Sequence, residues 1–155
     1  MLGGQIPSLF DQRPLCRLAA TLGHREPIAM QPMAKLFISL GAASAALAIM
    51  LGAFGAHALS GRLSPEMLGV FHAGVEYQFY HALGLLAVGI LSRSNADSKA
   101  LRWSGALMAA GIVLFSGSLY ALSLSGERWF GAITPVGGLA FIAAWILLIA
   151  GVVSY

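Results

Sequence analysis

The chain predicts an all-α fold: a four-helix transmembrane bundle behind a disordered N-terminal tail. Three observations carry that expectation. First, 58% of the 155 residues are hydrophobic and only 10% are charged, whereas a soluble domain carries about 25% charged residues. Second, three runs contain no Asp, Glu, Lys or Arg: Leu36 to Gly61, Trp103 to Gly126 and Trp129 to Tyr155. Each exceeds the roughly 20 apolar residues that one bilayer crossing needs, and none is long enough for two. Third, nothing alternates with a period of two, and the runs are about twice as long as a barrel strand, which sets a β-barrel aside. The same composition excludes a disordered protein and an ordinary soluble enzyme.

Residues 1–32 differ in kind from the rest of the chain. They hold Pro7, Pro14, Pro27 and Pro32 and the charges Asp11, Arg13, Arg17, Arg25 and Glu26, with no helical period. A disordered tail is expected, and Met33-Ala34-Lys35 before an apolar run reads as a natural start, with Met30 as another. The tail is therefore read as a mis-assigned start or a dispensable leader. Asp11 and Glu26 argue against a transit peptide. Residues 33–155 form the membrane domain.

The first helix is expected over 35–58. Ala56-His57-Ala58 resembles a small-residue cleavage site, but the apolar run before it exceeds the about 7–15 residues of a signal-peptide core. The first helix is therefore expected to be retained. The second is placed at 70–91; Ser64-Pro65 ahead of it pairs a capping hydroxyl with a proline, a helix-start signal. The third is placed at 101–124, ended by Ser125-Gly126, and the fourth at 132–153, with Thr134-Pro135 as a second capping pair. Ser92 to Arg102 is a polar connector.

Charge places the ends. Arg13, Arg17, Arg25 and Lys35 precede the first helix, and Arg93, Lys99 and Arg102 lie in the second loop; the other loops hold only Arg62 and Arg128. By the bias of basic residues toward the cytoplasm, both termini are expected inside, in a bacterial inner membrane. Lys35 alone keeps that sign without the tail. Trp103, Trp129 and Tyr155 fall near span ends, where amphipathic rings favour the interface. Scattered basic residues with a net charge of +3 do not make a nucleic-acid patch. Cys16 is the only cysteine, so no intrachain disulfide or thiol pair exists.

Candidate chemistry sits in His57, His72, Glu76, Gln78 and His81. Ionisable groups cost about 2.5–3.5 kcal/mol at a helix centre on insertion scales, so they usually face protein or water. His72 and Glu76 are four apart and share a face that Tyr80 continues. His81 points elsewhere and forms a second polar face with Tyr77 and Gln78. His57 and Glu76 are expected at similar depth and within contact. The plainest reading is a buried His/Glu/Gln network joining helices one and two. A proton or cation pathway through His57, Glu76 and His81 is the alternative. A metal or haem site is a second alternative, weakened by the absence of HxxH or HExxH spacing. No metal site and no cofactor is assigned.

Small residues form the other constellation. Gly41/Ala45, Gly52/Ala56, Gly105/Ala109 and Ala140/Ala144 are each four apart, the spacing of a flat contact strip. Ser116, Ser118, Ser123 and Thr134 can bond backbone carbonyls or neighbouring helices. No GxSxG supports a serine nucleophile. Gly131 to Gly138 contains glycines near a helix start, but no lysine in P-loop spacing follows. A tight re-entry with close helix contact through Gly137 and Gly138 is expected.

Four ordered motifs then become diagnostic: Gly52-Ala53-Phe54-Gly55-Ala56-His57-Ala58-Leu59; Tyr77-Gln78-Phe79-Tyr80-His81-Ala82-Leu83; Phe115-Ser116-Gly117-Ser118-Leu119-Tyr120; and Ile133-Thr134-Pro135-Val136-Gly137-Gly138-Leu139. Together they resemble the YgdD-like family of small bacterial inner-membrane proteins. That family is also called domain of unknown function 423 and includes the animal transmembrane protein 256. The resemblance covers about Met33 to Val153. It implies a four-helix membrane protein, and no activity, substrate or catalytic residues. It marks His57, Glu76, Gln78, His81, Tyr120, Thr134 and Pro135 for a shared role, chemical or structural; the candidates for helix packing and re-entry are Gly52, Gly55, Tyr120, Thr134, Pro135, Gly137 and Gly138. The expected function is that of a non-enzymatic membrane protein, structural or accessory. Its partners are the lipid bilayer and either further copies or a larger membrane complex; nucleic acid is not among them.

Overall fold

The structure, a computed structural model, describes residues 30–95 and 97–154. The expectations for Met1 to position 29 and for Tyr155 lie outside the described residues. Four helices account for most of the rest. α1 runs Pro32–Leu59, α2 Pro65–Leu91, α3 Lys99–Ser125 and α4 Thr134–Val153, the last preceded by a 3-10 turn at Arg128–Ala132. α1, α3 and the segment Arg128–Val153 are each long and apolar enough to cross a membrane. α2 matches them with 27 residues, about 40 Å at 1.5 Å per residue, but carries the polar cluster.

Local chemistry sets the ends. Pro32, expected as the last tail residue, instead opens α1, where proline's missing N–H costs nothing. The turn after α1 is closed by the amides of Arg62 and Leu63 on the Leu59 carbonyl. Ser64 then caps α2: its Oγ accepts from the Met67 amide at 3.2 Å, with Pro65 in the first turn. α2 therefore starts at Pro65 rather than Val70. Glu66, the one acidic residue of that first turn, sits where a helix N-terminus favours negative charge and does not break the helix. Ser98 caps α3 through the Leu101 amide at 3.3 Å. α3 ends on Gly126, whose φ of 74° is the left-handed conformation glycine adopts without penalty, and its amide bonds the Leu122 carbonyl at 2.9 Å. Thr134 does not cap α4. Ile133 holds that position, and the Thr134 hydroxyl is used across the bundle instead.

Each helix packs on its sequence neighbours. α1 lies along α2, α3 lies along α4, and α2 joins the two hairpins through α3, while α1 meets α3 only sparsely. The starts of α1 and α3 and the end of α2 thus share one end of the molecule. An apolar core of Phe37, Leu85, Val88, Leu101, Met108, Ala144 and Leu148 fills the half near that end. Ser104 donates to the Ala144 carbonyl at 2.8 Å within it, tying α3 to α4.

Lipid tails are as apolar as leucine, so helices in a membrane gain little from apolar burial alone and rely on close packing. Two glycines show it. A Cβ at Gly41 of α1 would lie 2.8 Å from the Ala82 carbonyl oxygen of α2. A Cβ at Gly137 of α4 would lie 2.5 Å from the Phe115 amide nitrogen of α3. Phe115 stands in a π-helical turn, Ile112–Ser116, where the Gly117 amide reaches back to the Ile112 carbonyl. A second π turn, Gly55–Leu59, ends α1.

Gly137→Ala should therefore destabilise the fold by about 1–3 kcal/mol, the usual range for overpacking. Gly117→Ala, where an added Cβ meets nothing within 4 Å, should be neutral or stabilising by up to about 1 kcal/mol. Unfolding titrations in detergent micelles followed by circular dichroism separate the two.

Candidate functional site

The half of the bundle away from the apolar core holds a polar and aromatic cluster, and α2 supplies its centre. Gln78 is 3% exposed. Its Nε2 donates to the Ser44 carbonyl of α1 at 2.9 Å, and its Oε1 accepts from the Tyr120 hydroxyl of α3 at 2.9 Å. One amide thus clasps three helices. The Ser44 carbonyl can serve because a backbone oxygen has two lone pairs and its own helix uses one. Gly74, one turn before Gln78 on the same face, makes room for the Tyr120 ring: a Cβ there would lie 2.8 Å from Tyr120 Cε1. Phe71 closes that pocket, with its ring centroid 5.0 Å from that of Tyr120.

His81 sits nearly a turn further along, 6% exposed. Its Nδ1 lies 2.7 Å from the Tyr77 carbonyl. A carbonyl only accepts, so Nδ1 carries a proton and donates. The ring stacks on Phe141 of α4 with centroids 3.3 Å apart, and Tyr77 packs on Phe115 of α3 at 4.6 Å. A hydroxyl chain joins α3 to α4. Ser118 Oγ donates to the Phe115 carbonyl at 2.9 Å, which leaves Thr134 Oγ1 to donate to Ser118 Oγ at 2.8 Å. Ser116 Oγ is buried without a hydrogen-bond partner among the described residues.

The other predicted residues do not join this cluster. Glu76 and His57 are exposed and His72 is half-buried. None of the three makes a hydrogen bond or ion pair among the described residues. The expected contact of His57 with Glu76 is not made, and the reason is depth. Because α2 starts at Pro65, Val75 is level with Gly52, and Phe71 and His72 are level with Gly55. Glu76 therefore lies roughly 16 Å from the start of α2 and several residues deeper than His57. His72 instead turns an edge toward Phe71, with centroids 6.3 Å apart. Among the described residues, no three of His, Cys, Asp and Glu come close enough to hold a metal ion. His57, His72 and Glu76 are thus not a ligand set.

The packing residues behave as sockets and turns. Gly55 receives Phe71, Gly137 receives the Phe115 backbone, and Gly52 and Gly138 lie in ordinary contact with Val75 and Phe115. Pro135 stands in the first turn of α4. Sequence reasoning missed Ser44, Gly74 and Phe141. Gly74 had a signal, since it lies four before Gln78; a backbone carbonyl partner such as that of Ser44 leaves none.

Comparison with known proteins agrees with the resemblance drawn from the motifs. The family model described as "Protein of unknown function (DUF423)" matches residues 51–138. The chain is 51% identical over 121 residues to the UPF0382 membrane protein YwdK of Bacillus subtilis, covering 78% of this chain and 98% of that one. It is 49% identical over 115 residues to the UPF0382 membrane protein SH2409 of Staphylococcus haemolyticus, covering 74% and 93% respectively. No solved structure matches.

Gln78→Leu should strand the Tyr120 hydroxyl and destabilise the protein by about 1–3 kcal/mol. A double-mutant cycle of Gln78→Leu with Tyr120→Phe should return a coupling of about 0.6–1.7 kcal/mol, the range for hydrogen bonds between membrane helices. Micelle unfolding titrations of the four proteins measure it.

Proposed function

Because the chain belongs to the DUF423 family of membrane proteins, we propose that it is a non-catalytic membrane subunit that docks through the outward face of α2. The partner is a second copy or a larger membrane complex. One observation carries this reading: α2 divides its polar residues by face. Gln78 and His81 point inward and their hydrogen bonds serve the fold. Glu76 and Tyr80 point outward, Tyr80 with 55% exposure, far inside the helix. A carboxylate at membrane depth is usually set against protein or water rather than lipid. On this reading the inward polar contacts are structural, Gln78 with Tyr120, His81 with the Tyr77 carbonyl and Ser118 with Thr134, and Glu76 lies outside them.

The orientation is inferred from charge. Lys35, Arg93, Lys99 and Arg102 gather at the end where α1 and α3 begin, against Arg62 and Arg128 at the other. By the positive-inside bias, that first end faces the cytoplasm of a bacterial inner membrane, with both termini inside.

A second reading rests on the same carboxylate: an unpaired Glu at membrane depth is also a usual part of a proton or cation path. Glu76→Gln keeps hydrogen-bonding capacity and Glu76→Leu does not. Under the docking reading, Glu76→Gln retains the oligomer or co-purified partner better than Glu76→Leu. Both leave the stability of the isolated fold within about 0.5 kcal/mol, since the site is exposed. Size-exclusion chromatography with light scattering reads the assembly. Equal loss from both variants, with proton flux into liposomes that vanishes in Glu76→Gln, would establish the transport reading instead.

A further inference from the structure

We propose that the groove between the first turns of α1 and α3 is a binding site for one anionic phospholipid. The two helices meet only sparsely, since α1 lies along α2 and α3 along α4. They are propped at Phe37, whose ring lies against Gly105 so closely that a Cβ there would meet it at 2.5 Å. What remains between them is an open cavity of about 740 Å³. In a bilayer such a space is filled, because an unfilled groove forfeits the dispersion contacts of its walls.

The lining is sorted by polarity. Lys99 and Arg102 stand at the mouth, and neither makes an ion pair among the described residues. Further along the two helices the groove is lined by Leu36, Leu40, Ala106 and Ala109, together with the buried Phe37. Trp103, 64% exposed, flanks the mouth, where an amphipathic ring marks the headgroup level. A cationic mouth above a greasy channel fits one amphiphile with a phosphate at its head and a hydrocarbon tail.

Charge argues against occupants made of this chain. A second copy inserted in the same sense would bring Lys35, Arg93, Lys99 and Arg102 against a lone Asp97 at this end. Residues 1–29 carry Arg13, Arg17 and Arg25 against Asp11 and Glu26. Both are net basic, as the mouth is.

The test uses the full-length protein in detergent micelles and native mass spectrometry, with phosphatidylglycerol and phosphatidylcholine of matched chains as probes. Phosphatidylglycerol should be retained on the order of tenfold better, as expected for two basic residues near the headgroup. The double variant Lys99→Gln with Arg102→Gln should lower it to the phosphatidylcholine level, and Arg102→Lys should keep the preference. Arg93→Gln, at the same end but outside the groove, should also keep it. Ala106→Trp, which fills the channel, should reduce both lipids. Circular dichroism verifies that each variant is folded; the two glutamine changes fall on exposed positions. Equal retention of the two lipids, or a preference indifferent to Lys99 and Arg102, would overturn the site. So would an oxidative disulfide from Ala106→Cys to Cys16, which would place the N-terminal segment in the groove. A disulfide between two copies through that same substitution would place a second copy there.

Discussion

The side chain of Gln78 hydrogen-bonds two other helices at once. In lipid, apolar surface is no driving force for association, so a helix pair is defined by how closely backbones approach and by which polar groups they share. Gln78 supplies both donor and acceptor to two different helices, Nε2 to α1 and Oε1 to α3. A side chain with one function could tie two helices; an amide can tie three. Gly74 and Gly41 then matter because they let the partners come near enough for that amide to reach.

The bundle has two halves of different chemistry. Toward the shared start of α1 and α3, apolar residues from all four helices interlock around Leu85, Met108 and Ala144. Toward the other end, aromatic rings and hydroxyls replace them: His81 on Phe141, Tyr77 on Phe115, and Thr134 on Ser118. The π turn at Ile112–Ser116 lies at the junction. It seats Phe115 against Gly137 while Ser118, one turn on, reaches Thr134. Short π segments inside α-helices often occur at functional positions; here the visible consequence is the register between α3 and α4.

The outward features are of another kind. Glu76 and the cationic groove lie on opposite halves and on different helices, and neither is consumed by the fold. Polar groups retained at membrane depth without a structural partner are costly. Their presence beside an otherwise well-satisfied interior is the reason to look for function on the lipid-facing surface rather than in the core.

Composition and local pattern were enough to establish the solvent, the all-α class and the family. Apolar content and run length act residue by residue, and the ordered motifs around His57, Gln78, Ser118 and Thr134 are read without knowing their neighbours. Caps were partly legible for the same reason: Ser64 and Gly126 do what their types suggest, because a cap is settled within one turn. Thr134 does not, since its hydroxyl has a competing partner that local sequence does not reveal. The tertiary structure alone decided which polar face of α2 turns inward, how deep Glu76 lies, and where α1 parts from α3. Gln78 meets partners 34 and 42 positions away. Such pairings follow from how helices lean on one another, and a start of α2 five residues earlier than expected is enough to separate His57 from Glu76.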